Sequence, residues 1–425
     1  MIRLAVAIAL GRLAGWVSKA LGRGATAVPG LVAEKIHPAA SSCLAATLPE
    51  GVVLVTGTNG KTTTTRMLVT ILEHSGKRVV TNRSGSNLGR GILTAMIAAS
   101  RQGRLLGDLG VFEVDEAAVR SVAPALHPRI VVVTNLARDQ LDRYGELDTT
   151  AGHVARAVGV SEAGVLNCDD PLVASLGGHP GAVHWYGAVG AIRDSLPSDP
   201  ALHGGGSAPA VIEPDALVEE SHPDGDGQQI QVRIDGEVLS TRLHVPGAYN
   251  AYNAAAALLA AARLGVRPED AAAAIATMPP AFGRGQVVEM DGRRVKVLLV
   301  KNPAGLNQAI RLLVAEAEPH QVLLAINDQH ADGRDVSWLW DAAVEELAHS
   351  PHRFGASGQR AHDMALRFKY AGVDCWLEQD AKAALSRLVH DAAPGETVYL
   401  VPTYTAMLTF LELLLPGIPR EEAWS

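Results

Sequence analysis

Four apolar residues, Val52 to Val55, run into Thr56-Gly57-Thr58-Asn59-Gly60-Lys61-Thr62 and three more threonines. The apolar run predicts a short buried strand, and the threonines predict a helix beginning near Thr63. Gly57 and Gly60 let the backbone turn so that successive N–H groups converge at a helix N-terminus, where the dipole favours an anion. Lys61 is placed to reach outer phosphates, and the Thr62 hydroxyl is the natural first ligand of Mg²⁺. The usual eight-residue loop asks for Gly at position 55, where this chain has Val, so the loop is a shorter form. An ordinary glycine turn would explain neither Lys61 nor the threonine run.

At 425 residues the chain has room for two or three domains. Hydrophobic content of 48% with 42 glycines and 4% aromatics reads as α/β packing built on small residues. A net charge of −8 leaves no basic domain to neutralise a phosphate backbone, so nucleic acid is not an expected partner. Cys43, Cys168 and Cys375 lie far apart and form no CxxC pair, as expected in a reducing, cytoplasmic compartment.

The first 30 residues mix Arg3, Arg12, Lys19 and Arg23 with apolar side chains, and no acidic residue precedes Glu34. Arg12 interrupts the apolar run, which disfavours a signal peptide. Such a basic amphipathic helix either rests on a membrane surface or packs on the protein itself. The reading leans to peripheral contact at the inner face of the cell membrane.

Further along, Arg78 to Thr81 predict a strand, and the loop from Arg83 to Gly91 opens another helix as a second anion site or a tight turn. The strand Gly110 to Val114 delivers Glu113, Asp115 and Glu116, of which Glu113 is the candidate to complete magnesium coordination. Strands Ile130–Val133 and Gly164–Leu166 also end in polar residues, at the edge where open parallel sheets bind ligands. From Gly177 to Asp226 the clusters of Gly, Pro, Ser and Asp predict loop or insertion, closed by a hairpin around Asp235-Gly236. Asn250 is a candidate cap for the alanine-rich helix that follows, and Asn253 lies three residues on, on nearly the same face.

The prolines and glycines from Met278 to Gly285 predict a hinge. Strands at Val295–Val300, Val322–Ile326 and Val398–Val401 then resume the βα rhythm of a smaller doubly wound α/β domain. The expected division is a basic N-terminal segment over 1–45, a central P-loop domain with a parallel sheet over 46–281, and a C-terminal domain over 282–425.

In order, TGTNGKTT, GSNLGRG, FEVDE, NLARDQLDRYG, GAYNAYNAAAA and FGRG resemble the Mur ligase family. The segments VKNPAGLNQ, NDQHADGRDVSWLWD, SGQRAHDMALRFKYAG and VPTYTAML are similar to those of the MurT-type synthetase subunits of lipid II isoglutaminyl synthase. The resemblance spans roughly Gly51 to Thr409. It implies ATP-dependent phosphorylation of a carboxylate, the D-glutamate α-carboxylate of the lipid II stem peptide, followed by attack of an amine to give D-isoglutamine. By resemblance, Gly57, Thr58, Asn59, Gly60, Lys61, Thr62 and Thr63 hold ATP with Asn250 and Asn253. Thr62 and Glu113 hold Mg²⁺, and Arg284 meets the γ-phosphate or the leaving phosphate.

The chain departs from that pattern in four places. It has no lysine between Lys77 and Lys296 to serve as the carbamylated lysine of peptide-forming relatives. Asp139-Gln140 stands where those ligases place a metal-binding His, and Leu298 stands where others carry Asp. No cysteine lies between Tyr186 and Ile230, so the zinc ribbon of several MurT-type proteins is not expected.

Amidation needs unprotonated ammonia, and none of the three cysteines sits between glycines on a strand-to-helix turn as a glutaminase nucleophile would. A separate glutaminase subunit is therefore implied, and the resemblance names it as a GatD-type protein. Asp332 to Asp341 hold two tryptophans and three aspartates, a composition that suits an interface better than a helix core. In the resembling group an aspartate of this motif completes the partner's Cys–His pair, a role that maps onto Asp335. The competing enzyme reading is a stand-alone ligase resembling folylpolyglutamate synthase, and the non-enzymatic one is a nucleotide switch.

Overall fold

The computed structural model describes residues 2–20, 27–82, 86–137, 147–178, 181–194, 212–279 and 284–417. They divide into two compact α/β units. The first takes the described residues up to 244 and 248–278, and the second takes 245–247 and the described residues from 279 onward.

The first unit opens with α1 (Ile2–Ala20), α2 (Val28–Ile36) and α3 (Ala40–Ala45). It continues through β1 (Val52–Thr56), α4 (Lys61–His74), β2 (Val79–Val80), α5 (Gly89–Ala98) and the hairpin of β3 (Ser100–Arg101) with β4 (Arg104–Leu105). Next come β5 (Leu109–Glu113), α6 (Val119–Leu126), β6 (Ile130–Val133), α7 (Leu147–Gly159), β7 (Ala163–Asn167) and α8 (Pro171–Ala174). The unit closes with β8 (Ala182–Ala188), α9 (Gly190–Arg193), β9 (Ala216–Asp224), β10 (Gly227–Ile234), β11 (Glu237–Leu243), α10 (Ala248–Arg263) and α11 (Pro268–Ala276).

Its nine-stranded sheet runs β11-β10-β9-β8-β7-β6-β1-β5-β2, parallel from β2 to β9 and antiparallel from β9 to β11. Every residue of β1 is buried, as befits a parallel strand covered on both faces. Each of its valines contributes roughly 1.5–3 kcal/mol by leaving water. Asp235 and Gly236 both take positive φ, the geometry that joins β10 to β11 in a two-residue turn.

The described part of the stretch 177–226 includes two strands, which corrects the loop expectation for those residues. It contains β8 and β9, which pair in parallel and extend the main sheet. Both are only partly buried, and their apolar signal is diluted by His184 in β8 and by the exposed Glu220 and His222 in β9.

The second unit contains β12 (Arg284–Met290), β13 (Arg293–Leu298), α12 (Pro303–Ala315), β14 (Gln321–Ala325), β15 (Arg353–Ser357), α13 (Ala361–Tyr370), β16 (Cys375–Leu377), α14 (Ala381–His390), β17 (Thr397–Pro402) and α15 (Tyr404–Leu414). The sheet order is β12-β13-β17-β14-β15-β16, parallel from β13 to β16, with β12 antiparallel at one edge. One apolar cluster lies on each face, around Phe368 and Leu339 on one side and Phe410 and Leu388 on the other. No described helix is long and apolar enough to cross a membrane.

Candidate active site

In the first unit β1 lies between β5 and β6, so the segments following these three strands converge on the glycine loop. The loop turns at Gly57, with φ +121°, and at Gly60, with φ +86°, and α4 starts at Lys61. A side chain at Gly57 would come within 2.3 Å of Thr134 Oγ1, and one at Gly60 within 2.2 Å of Asn253 Oδ1. Both glycines are thus required by backbone conformation and by close approach.

The segment after β6 clasps the loop from one side. Thr58 N–H donates to the Asn135 carbonyl at 2.8 Å and Asn59 N–H to Asn135 Oδ1 at 3.0 Å. Asn135 Nδ2 and Thr134 Oγ1 both donate to the Asn59 carbonyl, at 2.9 and 2.6 Å. The first turn of α4 then supplies N–H groups that no intrahelical carbonyl takes.

Lys61 is buried. Its ammonium donates to the Gly57 and Thr58 carbonyls at 2.5 and 3.1 Å and pairs with Glu116 Oε2 at 3.0 Å. Sequence reasoning grouped Glu116 with Glu113 and Asp115 but gave it no role. Its signal is position: it lies three residues past the end of β5, on the segment beside the loop. Glu113 is half-buried at the end of β5, its backbone held on both sides by Asn82 at 3.0 and 2.9 Å. The second glycine-rich loop packs there too, with Asp115 N–H donating to the Asn87 carbonyl at 3.0 Å. Its residues 83–85 lie outside the described set.

Thr62 is half-buried at the start of α4, and the Thr63 hydroxyl is buried with no hydrogen-bond partner among the described residues. These features fit a phosphate chain: an orphan hydroxyl in the first turn, a lysine and a backbone cradle. Thr62 and Glu113 offer hard oxygen donors of the kind Mg²⁺ takes. Among the described residues no three His, Cys, Asp or Glu side chains gather as a metal site. The donor set therefore suits an ion that draws its other ligands from phosphate and water.

Asn253 is buried on α10 against the first turn of α4, accepting from Thr64 Oγ1 at 3.2 Å. Asn250 is not a helix cap: α10 already begins at Ala248, and Asn250 Oδ1 accepts from Asn253 Nδ2 at 3.4 Å. The run Ala254–Ala257 is wholly buried, and such small residues let α10 approach α4 closely enough to bring Asn253 to Gly60.

In the second unit Arg284 is the first residue of β12, opposite Leu298. Its side chain lies outside the description, as do residues 280–283 and the Asp139-Gln140 pair. Asp335 is exposed and accepts from Ser337 N–H at 2.8 Å at the start of the turn Ser337–Trp340. That hydrogen bond holds its carboxyl below the usual carboxylate range.

The two tryptophans part company. Trp338 is 8% exposed and belongs to the core, which corrects its reading as interface, whereas Trp340 is 48% exposed. Trp340 stands edge-on to Tyr370 at 5.4 Å, with the Arg367 guanidinium 5.5 Å from its ring centre. Asp332 is buried and structural, accepting from Thr405 N–H at 2.7 Å and Thr405 Oγ1 at 2.5 Å.

None of the three cysteines occupies a strand-to-helix turn between glycines. Burial pushes the Cys168 thiol up to about 12 and raises that of Cys375. Cys43 lies within α3, its sulfur 3.6 Å from His37 Nε2.

Comparison with known proteins bears on these features. Residues 55–261 match the Mur ligase middle domain, and residues 299–407 match the MurT ligase C-terminal domain. The lipid II isoglutaminyl synthase (glutamine-hydrolysing) subunit MurT of Streptococcus pneumoniae is 30% identical over 97% of both chains. The protein of that name from Staphylococcus aureus is 28% identical over 96% of this chain and 97% of its own. In fold, the chain is similar to MurF from Acinetobacter baumannii, with a TM-score of 0.67 at 19% identity, over 92% of this chain and 79% of that one. With this end-to-end similarity added to the loop and the two α/β units, the chain belongs to the Mur ligase family, in its MurT-type branch.

Proposed function

We propose that the chain is the synthetase subunit of a glutamine-hydrolysing lipid II isoglutaminyl synthase of peptidoglycan biosynthesis. The observation that carries this reading is the match to Streptococcus pneumoniae MurT along 97% of both chains. The substrate is the D-glutamate α-carboxylate of the lipid II stem peptide, and the product is D-isoglutamine.

The glycine loop takes ATP. Lys61 and the first-turn N–H groups of α4 meet its outer phosphates, with the Thr63 hydroxyl on the same chain of phosphates. Thr62 and Glu113 would hold Mg²⁺, which would neutralise charge on the phosphate oxygens. A carboxylate oxygen of the substrate bonds to the γ-phosphorus as the bond to ADP breaks, giving an acyl phosphate. Ammonia adds to the acyl carbon, gives up a proton, and phosphate leaves with the electron pair of the broken C–O bond. Arg284 compensates the spreading negative charge, and Asn253 contacts the adenine end.

The ammonia comes from a GatD-type glutaminase subunit. The raised thiols of Cys168 and Cys375 support this reading, because neither supplies the thiolate that glutamine hydrolysis needs. Asp335 orients and stabilises the imidazolium of the partner's Cys–His pair, and its ionised, exposed carboxylate suits that role. Trp340 and Tyr370 offer an aromatic contact on the same unit.

One assay tests the whole: the purified chain with ATP, lipid II and either ammonium or glutamine, with and without the partner. Ammonium alone is expected to give amidated lipid II, and glutamine only when the partner is present. Transfer of an amino acid in place of ammonia would overturn the reading in favour of a stand-alone ligase.

A further inference from the structure

The helix α1 carries two unlike faces. Leu4, Ala7, Ile8, Gly11, Gly15 and Ser18 are buried against the first unit. A side chain at Gly11 would come within 2.8 Å of the Pro29 carbonyl oxygen and one at Gly15 within 2.8 Å of the Pro29 ring, so α1 lies close on α2. Arg12 donates to the Ile97 carbonyl at 2.8 Å and to the Ser100 carbonyl, and Arg3 to the Ile36 carbonyl at 2.8 Å. This close seating fixes the helix against rotation about its own axis.

The outward face is apolar. Ile2, Val6, Leu10, Leu13, Trp16 and Val17 recur at helical spacing and are all exposed, Trp16 to 70%. The stripe runs along a helix about 28 Å long. A folded chain that needed only to seat α1 would place polar residues there.

Every charged residue of α1 is basic. Arg3 and Arg12 are held by neutral carbonyls, which leave their charge uncancelled. Arg101 and Arg104 are exposed on the β3–β4 hairpin, which packs beside Leu4. Glu34, the first acidic residue in the sequence, is paired with Arg90 at 2.7 Å. This basic, apolar face sits on a chain whose net charge is −8.

From this face we infer that α1 lies in the plane of an anionic lipid surface, with its stripe from Ile2 to Val17 among the acyl chains and its arginines at the headgroups. A second copy of the chain is the poorer occupant. A two-fold contact along α1 would bring the same arginines together with no carboxylate on the helix to receive them. The inference stands apart from the amidation reading, since it rests on the helix face alone.

The test is flotation of the full chain with vesicles of phosphatidylcholine alone, or of phosphatidylcholine and phosphatidylglycerol in equal parts. The chain is expected to float with the anionic vesicles, to float poorly with the neutral ones, and to be released as salt is raised. Leu13→Glu and Trp16→Glu change exposed positions and are expected to lower partitioning roughly tenfold or more while thermal unfolding is unchanged. Failure to float with either vesicle, or flotation of both variants equal to that of the unaltered chain, would overturn the inference. So would a dimer in solution that Leu13→Glu dissociates, which would assign the face to a second copy. The vesicles contain no lipid II, so either failure leaves the amidation assay to be judged separately.

Discussion

Lys61 Nζ stands 3.0 Å from Glu116 Oε2 with both side chains buried, and the same ammonium donates to the Gly57 carbonyl of its own loop at 2.5 Å. The loop's cation is thus already compensated by protein. On the proposed reading, this spares the cost of burying an uncompensated charge before nucleotide binds.

Removing either member of that pair should have unequal effects. Glu116→Ala takes the paired carboxylate from a buried ammonium and is expected to cost about 3–5 kcal/mol of stability in chemical denaturation. Glu116→Gln keeps an acceptor and should cost less, while shifting the KM for ATP. Lys61→Ala should abolish ATP-dependent amidation with both ammonium and glutamine. Full activity in Lys61→Ala would remove the loop from the mechanism.

Gly60 and Gly76 share a positive φ of +86° and +87° but differ in surroundings. A side chain at Gly60 meets Asn253 Oδ1 within 2.2 Å, whereas nothing lies within 4 Å at Gly76. Gly76→Ala should therefore cost only the backbone strain, about 1–2 kcal/mol. Gly60→Ala should cost more and weaken nucleotide binding by calorimetry. Equal effects would show that Asn253 does not press on the loop.

Asp335→Asn keeps an oxygen for the Ser337 N–H but loses the charge. It should abolish glutamine-dependent amidation, with ammonium-dependent amidation and ATP binding intact. Because that hydrogen bond depresses the folded-state value, the carboxylate and the stability it lends persist above the ordinary range and are lost as pH falls through the lowered value. Asp335 is therefore ionised throughout the range above about pH 4, and an acid limb of the glutamine reaction in that range should trace to another group. Glutaminase activity retained by Asp335→Asn would dismiss the proposed role.

Arg367 is buried and donates to the Leu339 and Ala342 carbonyls at 3.0 and 2.7 Å, besides pairing with Glu345. It pins the segment that follows Asp335. Arg367→Ala should destabilise the second unit by roughly 3 kcal/mol, read in denaturant unfolding. Arg367→Lys should retain ammonium-dependent turnover and lose part of the glutamine-dependent rate, because one ammonium cannot span both carbonyls and Glu345.

His352 gives the second unit an acid sensitivity. Burial, reinforced by the neighbouring His320, lowers its value, and its ring bridges the His320 N–H and the Leu313 carbonyl. The unfolded chain then binds the proton more readily, so stability is full above about pH 6.5 and falls from there towards the lowered folded value. The Tm should decline over that window, and His352→Phe should flatten the decline. An unchanged slope would assign the sensitivity to another group.

Much of this was legible along the chain because the signals are local. An apolar strand, two glycines and a lysine fix the cradle within ten residues, and βα alternation marks both units. The hairpin at Asp235-Gly236 follows from its turn residues alone. β8 and β9 were hidden because their polar faces look to solvent and their flanks are rich in turn residues.

What the fold alone decided are pairings between distant segments. Along the sequence Glu113 is the acidic residue singled out, and only the turn after β5 sends Glu116 to Lys61. Trp338 and Trp340 are two positions apart, yet one fills the core and the other faces water, because the turn presents them to opposite sides. Asn253 reaches Thr64 across 189 residues, since the small side chains of α10 let that helix lie close on α4. Sequence fixes which groups are available and the local backbone that carries them. Burial against elements far away in the chain selects the partner each one meets.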